Sequence, residues 1–300
     1  MEQKMVIGAD GLPMPPDINT ALPPYPADLV SFPVPGHAPS LLPAGSKWVL
    51  AWSDEFDGSE LDRSKWDYRL HYWGKRNPIY TDEPGAVTVE DGCAKFHLLY
   101  RDGNYCSAQL QTGANSLDAP YDMQSGFWPV GEKTAPKFMH RYGYYEVRCK
   151  FQKTDGWWSA FWLQSPQIGM SPDPRFAGVE SDIMECFFGS VGRITTSNIY
   201  GGYSDQECKR EGLVRYLLED SDDGFHRFGM DWTPYGYTFY CDGKVTTHCV
   251  EAVSQVEQFL LLTTECKGYR VQKKPDHRLH PEDAGDTFTV DYVRVFDRVL

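Results

Sequence analysis

Three Asp-Gly pairs, at residues 91–92, 102–103 and 242–243, punctuate strand-like runs and constrain this chain more than any other feature. A two-residue turn of this kind needs positive φ at both positions, and it joins only antiparallel neighbours. Residues 86–110 therefore read as a three-stranded meander, and the third pair sets Cys241 opposite Lys244. Further strand signals fall at residues 142–152, 157–163, 177–187, 226–232, 236–241, 258–265 and 287–296, with no long helical periodicity after Lys47. Around ten strands without crossover helices predict an all-β domain of two packed antiparallel sheets.

Composition agrees. Hydrophobic residues make up 41 % and charged residues 24 %, enough to bury a core without metals or crosslinks. The 18 Tyr, 16 Phe and 9 Trp beside 27 Gly and 21 Pro suit short strands, tight turns and aromatic surfaces. Ten prolines lie within residues 1–45, where fixed φ and missing donors exclude regular interiors. The chain thus divides into a Pro-rich extension, 1–45, and a β-sandwich domain, 46–300. The extension reads either as a free tail or as an arm lying on the domain through Tyr25, Leu29, Val30 and Phe32.

The net charge of −13 disfavours nucleic acid and anionic membrane, and only short basic clusters such as Lys75-Arg76 oppose it. No apolar run approaches the roughly 18 residues of a membrane span, and the first residues carry no apolar leader. Eight cysteines without Cys-x-x-Cys spacing read as free, mostly buried thiols.

The chemistry concentrates at residues 178–188, where Glu180, Asp182 and Glu185 fall in an otherwise strand-like sequence. Alternation puts Glu180 and Asp182 on one face and Glu185 on the other. One extra residue, a β-bulge at Ile183-Met184, would return Glu185 to their face. Val179, Ile183, Met184 and Phe187 would then form the apolar back of a central strand. Two carboxyls about 5–5.5 Å apart are what a retaining glycosidase needs, one as nucleophile and one as acid/base. Crowding of like charge raises one pKa so that a proton is held near neutrality. Alternation also places Trp158 and Trp162 on one face with small Ala160 between them, as platforms for sugar rings, and turns Trp157 and Phe161 to the core. Asn77 and Tyr80, in a polar loop, are weaker candidates for hydroxyl recognition.

Several blocks in order are similar to glycoside hydrolase family 16. They include Trp52-Ser-Asp-Glu-Phe-Asp-Gly58, Val89-Glu-Asp-Gly92, Tyr142-Gly-Tyr-Tyr-Glu-Val-Arg148 and Gly156-Trp-Trp-Ser-Ala-Phe-Trp-Leu163. The Glu-x-Asp-x-x-Glu strand follows, then Phe225-His-Arg-Phe-Gly-Met-Asp-Trp232, Tyr240-Cys-Asp-Gly243 and Val290-Asp-Tyr-Val-Arg-Val295. The resemblance implies a concanavalin-like jelly roll whose concave sheet forms an open cleft, endo-cleavage of a β-linked polysaccharide, and retention of configuration. It makes Glu180 the nucleophile, Asp182 its assistant and Glu185 the acid/base. It also implies no required cofactor, a secreted or extracytoplasmic location, a polysaccharide as the only partner of a monomer, and a structural calcium on the convex side held by Glu55, the Gly92 carbonyl and Asp291. Two positions depart from the family pattern: Tyr200 and Gly201 stand where a His-Trp pair is common, and Ser181 replaces an aliphatic residue, so its hydroxyl faces the core and needs a partner.

Other classes compete with an enzyme. A sugar-binding module on the same sandwich has no need of three crowded acids, and a calcium-dependent structural domain would use the same acids as ligands. Neutral β-1,3- or mixed-linked glucan is the expected substrate, with a marine β-galactan such as agarose, porphyran or carrageenan as the alternative. The net charge weighs against a sulfated polyanion unless Lys75, Arg76, His140 and Arg141 form a local patch.

Overall fold

The structure, a computed structural model, describes residues 28–72, 75–76, 79–113, 135–203, 208–266 and 278–299, with backbone alone at 71–72 and 75–76. The predicted turns are present: Asp91 and Gly92 adopt φ of 55° and 69°, Asp102 and Gly103 49° and 79°, Asp242 and Gly243 46° and 83°. Cys241 pairs with Lys244 and Cys249 with Tyr237, so that hairpin keeps the two thiols far apart along the ladder. Seven of the eight cysteines are buried and Cys208 is exposed. The expected meander divides in two. Val87–Glu90 pairs with Cys93–His97 in a large sheet, whereas Leu99–Arg101 and Asn104–Cys106 make a separate ribbon.

Two antiparallel sheets form the sandwich. The seven-stranded sheet runs Lys209–Leu217, Arg193–Tyr200, Glu180–Phe188, Asp155–Gln164, Phe259–Glu265, Gln109–Gln111, Asp67–Tyr68. The eight-stranded sheet runs Lys244–Cys249, Gly236–Cys241, His226–Thr233, Gly143–Lys150, Thr287–Val299, Cys93–His97, Val87–Glu90, with Lys47–Asp54 also on Thr287–Val299. Trp157, Phe161, Ile183, Met184, Leu260 and Leu262 from the first sheet meet Tyr145, Val147, Phe228, Met230, Val293 and Val295 from the second in one buried core. Outside the bulges, the strands of the two sheets spend alternate residues on that core and leave the others for the outer faces.

Residues 28–45, counted with the extension on sequence, fold as a hairpin in which Leu29–Phe32 pairs with Ser40–Pro43. It lies on the outer face of the eight-stranded sheet. Leu29 and Phe32 pack on Leu42, Trp48, Tyr144, Tyr240 and Phe296, with the Phe32 and Phe296 rings edge-on at 5.2 Å. Val30 is exposed, and Tyr25 lies outside the described residues. Polar contacts fasten the arm: Leu41 N–H donates to Glu146 Oε2 at 2.9 Å, and Arg294 Nη1 donates to the Ala38 carbonyl at 2.8 Å and to Ser40 Oγ at 2.9 Å.

Candidate active site

The Glu180–Phe188 strand is central in the seven-stranded sheet, and it starts abruptly. A short helical turn, Pro174–Ala177, ends at Gly178, whose φ of 79° and close approach to Ser165 exclude a side chain: a Cβ there would stand 2.2 Å from Ser165 Cβ. The strand then departs from regular pairing where the sequence predicts. Asp182 lies opposite Ser197 and Glu185 opposite Thr195, so three residues on one strand span two on its neighbour. On the other side Phe161 pairs with Met184 and Trp162 with Asp182. Ile183 and Met184 are both in the core, and Thr196 Oγ1 donates to the Ile183 carbonyl at 3.1 Å, as expected where a bulge disrupts the ladder. Glu180, Asp182 and Glu185 accordingly share the outer, concave face.

A second irregularity follows between Cys186 and Phe188. Gln152 braces it from below, donating to the carbonyls of Trp157 at 2.6 Å and Cys186 at 3.0 Å and accepting from Ser159 Oγ at 2.8 Å. Phe187 does not join the apolar back of the strand as expected. Once the first bulge turns Glu185 outward, Phe187 two residues on follows it, and its ring meets Trp158 edge-on at 6.1 Å.

Trp158 and Trp162 stand half-buried on the same face with Ala160 between them, while Trp157 and Phe161 are fully buried, as alternation requires. Trp162 is fixed by its Nε1 donating to Thr263 Oγ1 at 2.9 Å. The guanidinium of Arg69 sits over the Trp162 ring, 5.5 Å from its centroid. Arg69 continues from the edge strand Asp67–Tyr68, and its backbone N–H donates to the Gln109 carbonyl at 2.8 Å. Nothing in the sequence distinguishes this arginine from the others, because only the pairing of distant strands brings it to the tryptophan.

Around the acids, Glu180 Oε2 accepts from Gln164 Nε2 at 3.4 Å and from the Tyr203 hydroxyl, which also meets Gln164. Ser197 Oγ donates to Asp182 Oδ2 at 3.1 Å. Gln164 was legible in principle, two residues beyond Trp162 on the same face; Ser197 depends on the bulged register and was not. Burial raises the pKa of Glu180, against the Tyr203 hydrogen bond and the charges of Arg69 and Arg210, which pull it back. Asp182 is driven well above the usual carboxylate range, first by burial and then by the charges of Glu185 and Glu180. Glu180 and Asp182 therefore each hold a proton more tightly than an isolated carboxylate would.

Other expected residues are placed elsewhere. Tyr80 is fully buried in the core, paired through an isolated bridge to Ser107, and does not line the concave face. Asn77 lies outside the described residues, as do the side chains of Lys75 and Arg76. His140 is paired to Asp297 at 2.8 Å and Arg141 donates to the Gln255 carbonyl at 3.0 Å, so both are committed away from the acids. Ser181 faces the core as expected, and its hydroxyl finds no partner among the described residues. The residues suggested for calcium do not fit a cation. Both Glu55 oxygens accept from Arg294, at 2.9 and 2.7 Å, and Asp291 is paired with Arg148. Two guanidinium groups already supply the charge that a metal would bring. Among the described residues no group of three or more His, Cys, Asp and Glu is arranged to hold a metal.

A jelly roll whose concave sheet carries three carboxylates on a bulged strand beside paired tryptophans defines a class of polysaccharide hydrolase, and the comparisons agree. The family model for the GH16 domain of β-porphyranases A–D matches residues 47–298, and the chain belongs to glycoside hydrolase family 16. It is an endo-β-glycanase of that family. It is 25 % identical to β-porphyranase B of Phocaeicola plebeius over 86 % of this chain and 87 % of that protein. It is 27 % identical to a glucan endo-1,3-β-glucosidase of Cryptopygus antarcticus over 67 % of this chain and 69 % of that one. The fold is shared with the catalytic domain of an endo-1,3-β-glucanase (laminarinase) from Thermotoga petrophila, with a TM-score of 0.62 at 22 % identity, covering 85 % of this chain and all of that domain.

Proposed function

We propose that this endo-β-glycanase hydrolyses a sulfated β-galactan of the porphyran type, with retention of configuration. Glu180 attacks the anomeric carbon while Glu185 gives its proton to the departing glycosidic oxygen. The C–O bond breaks and a glycosyl ester forms on Glu180. Glu185, now a carboxylate, takes a proton from water, whose oxygen attacks the same carbon and frees Glu180. Burial and its two acidic neighbours favour the neutral form of Asp182, which would present a donor rather than a third negative charge. Tyr203 and Gln164 orient the Glu180 carboxyl. Carboxyl groups alone carry these steps, and a polymeric substrate puts the work outside the cytoplasm.

The observation that carries the substrate is Arg69. Its guanidinium, buried against the sugar-platform tryptophan, lies close enough to the nucleophile for its charge to pull the Glu180 pKa down, and so sets positive charge beside the acids. Arg210 exerts the same pull on Glu180 and Asp182 from the outer strand. A protein of net charge −13 thus gathers cations beside its acids, which suits an anionic polymer better than a neutral one. The match to porphyranases points the same way. Neutral β-glucan is the second reading, favoured by the likeness to the glucan endo-1,3-β-glucosidase. Release of reducing ends from porphyran, agarose, laminarin and lichenan tests the choice. Porphyran is expected to be cleaved fastest, and turnover of laminarin with none of porphyran would overturn it.

A further inference from the structure

The outermost strand of the acid-bearing sheet, Lys209–Leu217, is fastened near its start from behind. Its ladder to Arg193–Tyr200 breaks between Thr196, opposite Val214, and Asn198, opposite Glu211, so three register pairs hold the stretch 209–211. At the break Gly212 takes φ of 65°, and a Cβ there would stand 2.3 Å from Cys249 Sγ. Only glycine lets the strand come so close to Lys244–Cys249, the edge strand of the other sheet. Glu211 completes the contact. Its Oε1 accepts from the amides of Val250 at 2.6 Å and Glu251 at 3.0 Å, and its Oε2 from that of Ala252 at 3.2 Å. Three charge-assisted bonds from successive amides fix a carboxylate in place and in orientation. Glu211 pairs with the fully buried Asn198, whereas its neighbour Arg210 pairs with Ile199, which lies opposite Glu180. Alternation therefore turns Arg210 to the face of the acids, where its charge favours the ionised forms of Glu180 and Asp182.

We propose that Glu211 is a positioning residue for the acids: by clamping the amides of 250–252 it fixes the short outer stretch that carries Arg210, and so keeps that cation near Glu180 and Asp182. The inference rests on the assignment of Glu180 as nucleophile given above. Arg210 is exposed on a long side chain of many rotamers, so the position of its strand sets its mean distance from the acids. Arg69, Tyr203, Asp182 and Glu185 also act on Glu180 or Asp182, and Arg215 lies in the row of Glu185. Around Glu211 stand Glu251, Tyr200, Tyr237 and Cys249, with Lys209 over the Tyr200 ring. Glu211 is itself an anion, which separates two effects by sign. Acting directly through its charge, it would hinder ionisation of the acids, and its removal would ease it. Acting by holding Arg210, it favours ionisation, and its removal hinders it.

The acid limb of kcat/KM against pH tests this, because it reports ionisation of the nucleophile in the free enzyme. Reducing-end release is followed on whichever of porphyran and laminarin the parent cleaves. Arg210→Gln is expected to move the limb to higher pH by roughly 0.5–1 unit at low ionic strength. Glu211→Ala is expected to move it the same way by about half as much, and Glu211→Gln, which keeps one acceptor oxygen, by less. Adding Glu211→Ala to Arg210→Gln should bring no further movement, since the cation to be held is gone. Salt at about 1 M, where the Debye length is about 3 Å, should erase the shifts. Melting temperatures accompany each profile, and the nearly isosteric Glu211→Gln keeps the test sound should Glu211→Ala fold poorly. A limb unmoved in the Glu211 variants, with only the melting temperature lowered, would make the clamp purely structural and overturn the inference. Movement to lower pH would overturn it too. Full activity of Glu180→Gln would instead bring down the nucleophile assignment, and the inference with it.

Discussion

Both sheets bury charge, one by pairing it and the other by crowding it. In the eight-stranded sheet Arg294, fully buried, spends its donors on Glu55, Ala38 and Ser40 and stacks on Tyr292 at 3.5 Å. Glu146 accepts from Tyr292 Oη at 2.6 Å and from the Leu41 amide, and Asp231 is bridged by Arg298. In the seven-stranded sheet Glu180, Asp182 and Glu185 crowd one face, and hydroxyls, an amide and more distant arginines answer them in place of a bidentate partner. Satisfied charges fasten an arm to a scaffold. Incompletely satisfied ones store free energy in protonation, and that is what acid–base chemistry draws on.

Exchanging single groups should separate the two kinds of charge. The largest effect is expected for Glu180→Gln and Glu185→Gln, which remove an essential step with little change in volume. Each should lower kcat by about 1,000-fold or more with the melting temperature nearly unchanged. Reducing-sugar assays and thermal unfolding measure the two quantities. Activity within roughly 100-fold of the parent in both variants would end the residue assignment.

On the paired side, Arg294→Ala leaves Glu55 facing a site built for a guanidinium and releases Ala38 and Ser40. Urea unfolding should show a loss of about 3–5 kcal/mol. Combining it with Glu55→Gln should recover part of that loss, because the stranded charge is gone. A loss below about 1 kcal/mol for the single variant would mean that the pair is merely superficial.

The smallest change runs in the opposite direction. The unfolded chain releases the Asp182 proton near the ordinary carboxylate value, whereas the folded chain holds it to higher pH. Between those values the folded state binds more protons, so stability falls as pH rises through the window. Asp182→Asn removes this cost. It should raise the melting temperature at pH 8 by roughly 2–4 °C, with no gain near pH 4, while lowering kcat. Equal melting temperatures at both pH values would contradict the protonated state described for Asp182.

Much of the site was legible because strand alternation is local. The outward pair Trp158 and Trp162, the inward pair Trp157 and Phe161, and the need for a bulge between Asp182 and Glu185 all follow from a period of two along one segment. The strands Arg193–Tyr200 and Lys209–Leu217 were missed. Their sequences mix Arg, Thr, Asn, Glu and Gly with apolar residues in no clean period of two, although five of the eight residues of Arg193–Tyr200 are buried, so neither shows the alternation that marks a strand. Tyr80 was misplaced because a polar loop says nothing about the direction of one ring within it. The calcium set misled for a related reason: an acid at a strand end looks the same whether a metal or an arginine from another strand answers it.

The sequence by itself determined the all-β class, the Asp-Gly hairpins and the three acids on one strand, since turn chemistry and alternation act over a few neighbouring residues. Tertiary structure alone decided what surrounds them. Arg69 and Trp162 are 93 positions apart, Asp182 and Ser197 meet across a bulged register, and Glu55 and Arg294 join opposite ends of the chain. Such meetings depend on the order and offset of whole strands, and those are set by the packing of every side chain in the common core at once.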